Sequence, residues 1–193
     1  NRSDFVISWT SPPQEQSGVV GVYYKFNDVP RANHDYDGFC LDTQIITRCA
    51  NVAPPGEGRH GIAIWLSDMA GNIDYTTRRY LPDTIWYDAT PPGTTVSAEG
   101  TGEGLWYNSP VTLTFQATDP IPPGVNDVSG VQVTSYSVGC GLVWQAGNQA
   151  VITDEGRTTV CFRSRDRAGN TEQTRQVSLR IDRTPPPAAS NVT

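Results

Sequence analysis

The pentamer D-x-A-G-N occurs twice in this chain, as DMAGN at residues 68–72 and as DRAGN at residues 166–170. The two copies lie 98 positions apart, and the match extends outward from both. SGVVGVYY, from Ser17, pairs with SGVQVTSY, from Ser129, at an offset of 112. FVISWTS, from Phe5, pairs with VTLTFQA, from Val111, at 106, and YDATPP pairs with RIDRTPP at 94. Changing offsets with matching segments describe one supersecondary unit used twice, with loops of different length. The fall from 112 to 98 places an insertion of 14 residues in the first copy between Tyr24 and Gly61. Surface loops absorb such insertions at small entropic cost.

Each copy reads as antiparallel strands. In VTLTFQA, Val111, Leu113, Phe115 and Ala117 share one face and Thr112, Thr114 and Gln116 the other. The first copy offers Phe5, Ile7, Trp9 and Ser11 at the inward positions. In TVCFRSRD, Val160, Phe162 and Ser164 alternate with Cys161, Arg163 and Arg165, and the first copy has Ile62, Ile64 and Leu66 inward. A period of two marks a strand with one buried face. With 15 Pro and 18 Gly marking turns along 193 residues, the expectation is all-β: two tandem immunoglobulin-like antiparallel β-sandwiches. The boundaries expected are residues 1–90 for a domain lacking its first strand, with a long disulfide-stapled insert near 27–58; 91–184 for a second domain; and 185–193 for a linker, the first strand of a next repeat, or a donor strand.

In this setting the pentamer is a turn. Gly71-Asn72 and Gly169-Asn170 tolerate positive φ, and the Asp68 and Asp166 carboxylates accept hydrogen bonds from backbone N–H groups of the turn. A Ca²⁺ loop is the functional rival, but one Asp per loop falls far short of six to eight oxygen ligands.

These residues resemble the Ig-like repeats of bacterial surface and secreted proteins. The second copy carries most of the pattern: GLWYNSPVTLTFQATD, SGVQVTSYSV, EGRTTVCFRSRDRAGNTE, and the closing SLRIDRTPP. The first matches through SGVVGVYYKF, LSDMAGN and YDATPP, without the aromatic opening. The resemblance implies extracellular spacers, adhesive stalks, or modules appended to polysaccharide-degrading enzymes. It implies no catalytic residues.

The two ends of the chain are complementary. The second copy has a leading segment, PPGTTVSAEG, able to supply a first strand; the first copy begins four residues before FVISWTS. The tail TPPPAASNVT resembles that missing segment. Two arrangements follow: a longer covalent array cut between strands, or head-to-tail assembly in which the tail of one chain fills the open edge of the next. Both place neighbouring copies or adjacent repeats end to end as partners.

Four cysteines allow three pairings. Cys40 and Cys49 lie together in the insert and Cys140 and Cys161 in the second copy, so Cys40–Cys49 and Cys140–Cys161 are expected, in an oxidising extracellular compartment. The insert also gathers Asp35, Asp37 and Asp42, weak candidates for a metal. Trp65, outward on its strand, and Trp144 are candidate sugar contacts, which makes surface glycans a possible partner class. His60 falls inward, as a core histidine. Asn1 and Asn191 head N-x-S/T triplets.

Other classes are disfavoured. A net charge of −6 with no basic stripe argues against nucleic acid. No apolar run approaches a membrane span, and no signal peptide is recognisable. No nucleophile elbow, phosphate loop or Cys/His pairing suggests an enzyme, and no cofactor is expected. The expected function is an extracellular structural or adhesive repeat protein forming a rod, stalk or filament. The alternative is a carbohydrate-binding accessory module of a secreted glycan-degrading enzyme.

Overall fold

The computed structural model describes residues 5–10, 13 and 16–188. Ser11, Asn1, Asn191 and the last five residues of the tail lie outside them. The chain divides into two compact units, Asn1–Ala89 with Ile121–Val128, and Thr90–Pro120 with Ser129–Thr193.

The first unit holds β1 (Phe5–Ser8), β2 (Val19–Phe26), β3 (Gly38–Leu41), β4 (Arg48–Val52), β5 (Gly58–Asp68) and β6 (Arg79–Tyr87). One sheet is the pair β1-β4; the other runs β3-β2-β5-β6. The second unit holds β7 (Gly93–Glu99), β8 (Gly102–Glu103), β9 (Trp106–Tyr107), β10 (Val111–Thr118), β11 (Val131–Val138), β12 (Gln145–Ala146), β13 (Gln149–Ile152), β14 (Gly156–Asp166) and β15 (Arg175–Ile181). Its sheets run β13-β10-β7 and β12-β11-β14-β15-β9-β8. Both units are immunoglobulin-like sandwiches. Pairing is antiparallel except for the short β15–β9 contact.

The alternation seen in the sequence is what builds each core. On β10, Val111, Leu113 and Phe115 are buried, and from the facing sheet Val160, Phe162, Leu179 and Ile181 meet them. Each such side chain contributes about 1.5–3 kcal/mol when fully removed from water. In the first unit Ile7 and Val52 from one sheet pack with Val22, Phe26, Ile62 and Ile85 from the other. Cys161 points outward as its register demands, yet it is buried, because the disulfide to Cys140 covers it (Cα–Cα 5.0 Å). Cys40 on β3 and Cys49 on β4 form the second bridge, Cα–Cα 5.7 Å.

Each strand of the first unit has a counterpart in the second: β1 in β10, β2 in β11, β3 in β12, β4 in β13, β5 in β14, β6 in β15. The stretch 27–58 is therefore not all insertion. It contains β4, which pairs with β1 through Phe5↔Val52 and Ile7↔Cys49 as β13 pairs with β10. The added length sits chiefly between β2 and β3, where residues 27–37 cover the outer face of β2 and β5.

The pentamers form the same turn in both units. Asn170 donates its backbone N–H to Asp166 Oδ1 (2.7 Å) and its side-chain amide to Asp166 Oδ2 (2.8 Å). Asn72 does the same to Asp68, at 2.8 and 2.7 Å. Gly71 and Gly169 take φ of 87° and 95°, the left-handed region that a Cβ disfavours. The Asn72 amide and backbone N–H hold the Asp68 carboxyl below its ordinary range. Asp166 is wholly buried, whereas Asp68 is partly exposed. Asp166→Ala is expected to cost about 2–4 kcal/mol, because two buried donors lose a charged acceptor. Asp68→Ala, where water can replace the carboxylate, should cost much less. Chemical denaturation of the two variants checks the ordering.

Candidate functional site

The two units differ at one edge. In the second, β7 pairs along β10 from Thr118↔Gly93 to Thr112↔Glu99. Its first turn of chain is clasped by polar groups. Thr94 N donates to Glu172 Oε2 (3.1 Å), its hydroxyl bonds Glu172 Oε1 and Ser164 Oγ, and Arg175 Nη1 donates to Thr94 O (2.6 Å). In the first unit, among the described residues, β1 pairs with β4 alone. Beside it lies a groove of about 1180 Å³, lined by Ile7, Trp9, Ile64, Leu66, Asp74 and Arg79 among others.

Corresponding positions measure what the missing strand does. Phe115 and Phe162 are 2 % exposed and Ser164 is 1 % exposed. Their counterparts Trp9, Ile64 and Leu66 are each only half-buried. Ile64 and Leu66 point inward, as expected from the sequence, but the core they face is uncovered. The Trp9 indole Nε1 is buried with no acceptor. Pairing also identifies the counterparts of the clasp. Arg175 lies opposite Phe162 and Arg79 lies opposite Ile64, so Arg79 matches Arg175. The bridges Arg165↔Thr171 and Ser67↔Ile73 make Asp74 the match of Glu172. Asp74 caps the short 3-10 turn Tyr75–Thr77 through Oδ1, which accepts both Thr76 N and Thr76 Oγ1. Those bonds hold its carboxyl below the usual range.

The sugar candidates separate. Trp65 is 1 % exposed, which overturns its expected role as a surface platform. It does face outward on β5, but residues 27–37 fold over it. Tyr23 stacks on its ring at 5.9 Å, and its Nε1 donates to Asn33 O (3.3 Å). Trp144 is half-buried with the Arg163 guanidinium 4.4 Å from its ring, so one face is covered. Trp86 is 58 % exposed, with the Arg59 guanidinium 4.0 Å from its ring.

The insert carboxylates are each engaged separately. Asp35 bonds Lys25 Nζ (2.5 Å) and Arg31 N (2.8 Å), which lowers its pKa. Asp37 accepts from Phe26 N and Asp42 from Thr43 N, both at 2.7 Å. Among the described residues, Asp35, Asp37 and Asp42 form no common cluster. In the second unit Asp119 and Asp166 bring carboxylate oxygens within 4.8 Å of each other, with Asp119 Oδ2 taken by Gly130 N (2.6 Å) and both Asp166 oxygens by Asn170. His60 is buried as expected, with Nε2 on Gly56 O (2.7 Å) and Nδ1 on the Asn27 amide (3.0 Å). Asn27 Oδ1 accepts Gly61 N (3.2 Å), which leaves the amide nitrogen of Asn27 facing Nδ1.

No described protein family matches the chain, and no curated protein matches it. Similar solved structures include the fibronectin(III)-like modules of Clostridium thermocellum CbhA, at 14% identity and TM-score 0.40, covering 98% of this chain and 92% of that one. They also include the FN1–FN3 domains of chicken CNTN1, at 12% identity and TM-score 0.35, covering 92% of this chain and 63% of that one.

Proposed function

We propose that the chain is a structural module of an extracellular protein, of the kind found in bacterial Ig-like repeats, and that it works by end-to-end arrangement of such domains into a stalk or filament. One observation carries this reading: the six strands of the first sandwich recur in the second, and among the described residues the first has its core open along the edge that β7 covers in the second. A sandwich open along one edge is completed by a further strand, and repeats stacked in this way bury one another's exposed faces. Two disulfides fit an oxidising compartment. Among the described residues no helix is long and apolar enough to cross a membrane.

The glycan-binding alternative now depends on Trp144, since Trp65 is enclosed. Retention on insoluble and soluble polysaccharides tests it. The structural reading expects no saturable binding, and the same baseline for Trp144→Ala. Saturable binding that Trp144→Ala removes would sink the structural reading.

A further inference from the structure

We propose that the groove beside β1 is a strand-acceptor site and that its occupant is residues 187–193 of a second copy of the chain. The proposal rests on the end-to-end reading above and names the contact that makes it.

The occupant is identified from the second unit, where the equivalent position is already filled. There the chain passes Thr90-Pro-Pro and enters β7 at Gly93, a strand of seven residues. At an offset of 94 it passes Thr184-Pro-Pro, and residues 187–193 stand at the positions of 93–99. Transferring the β7–β10 pairing sets the register without free choice. Phe115↔Val96 becomes Trp9 opposite Ser190, Leu113↔Ala98 becomes Ile7 opposite Val192, and Thr114↔Ser97 becomes Ser8 opposite Asn191. Ala188 takes the place of Thr94. Its N–H then meets Asp74, and its carbonyl meets Arg79, as Thr94 meets Glu172 and Arg175. The inward positions become Ala188, Ser190 and Val192, small enough to lie over Trp9, Ile64 and Leu66.

The chemistry is strand addition: main-chain hydrogen bonds supply the attraction, and the alternate side chains set the register. The donor and acceptor surfaces differ, so the contact is heterologous, and repeated without closure it propagates as a filament. It also removes an open sheet edge that would pair indiscriminately.

The test uses the full chain and a chain ending at residue 186, which leaves both sandwiches entire. Sedimentation should show concentration-dependent association of the full chain and its loss in the shorter one. Full chains carrying Ser8→Cys with Asn191→Cys should form disulfide-linked multimers under oxidation, while Ser8→Cys with Ser190→Cys, one residue out of register, should not. Association that survives the truncation overturns strand donation and leaves the end-to-end reading intact. A full chain that stays monomeric, or that cross-links only within one chain, also overturns it. Glycan retention remains the separate measure of the functional reading.

Discussion

Trp65→Ala should destabilise the first unit by about 3–5 kcal/mol, the range for truncating a large buried aromatic. Trp65 is 1 % exposed and lies beneath residues 27–37. Its ring stacks on Tyr23, and Tyr23 packs in turn on Tyr36 and Phe39. Its indole also anchors Asn33, whose side chain donates to Ile73 O (2.9 Å) and accepts from Tyr75 N (2.8 Å). Losing the ring opens a cavity and releases the backbone to which Asn33 ties the loop after β5. Trp65→Phe keeps most of the packing and loses one hydrogen bond, so it should cost about 1–2 kcal/mol more than nothing and well below the Ala variant. Hydrogen exchange along β5, read with chemical denaturation, checks both. A loss under about 1 kcal/mol for Trp65→Ala would mean the ring is a surface group after all.

Trp65 also marks the limit of what periodicity can tell. Alternation along GIAIWLSD correctly places Trp65 opposite Ile64 and Leu66. It defines faces relative to the sandwich core, however, and is silent on a second apolar layer laid over the outer face by a loop. Tyr36 carries no periodic signal, because a covering loop has none, and Phe39 stands on a strand of only four residues. Local hydrogen bonding, by contrast, was legible: Asp, Gly and Asn at fixed spacing dictate the turn, and both copies form it alike. The strand content of 27–58 was hidden for a different reason. β3 and β4 span Gly38–Leu41 and Arg48–Val52, too short for alternation to show. The pair Asp74 and Arg79 could not be read from the sequence either. One stands at an offset of 98 from Glu172 and the other at 96 from Arg175, because the first unit has two more residues between them, where the 3-10 turn Tyr75–Thr77 lies. Once the pairing is known, the two line up with the clasp of the second unit at once.

The second large effect is expected at Phe115, and it is informative through its contrast with Trp9. Phe115→Ala should cost about 3–5 kcal/mol, since the ring is enclosed between Tyr136 at 5.5 Å and Phe162 at 5.2 Å with β7 alongside. Trp9 stands at the same place in the first unit but faces the groove. Its truncation leaves no closed cavity and removes a buried N–H that lacks an acceptor, so about 1–2 kcal/mol is expected in the isolated chain. A strand seated in the groove changes that value. It encloses the exposed part of the ring and adds stability to the first unit according to the ligand concentration relative to its dissociation constant. The cost of Trp9→Ala should therefore rise toward that of Phe115→Ala when a peptide of residues 184–193 is added to the chain ending at 186, while Phe115→Ala is unchanged. Equal costs with and without the peptide would show that nothing seats against Trp9. A rise confined to Trp9 would place the added strand at the edge where β1 lacks the neighbour that β10 has in β7.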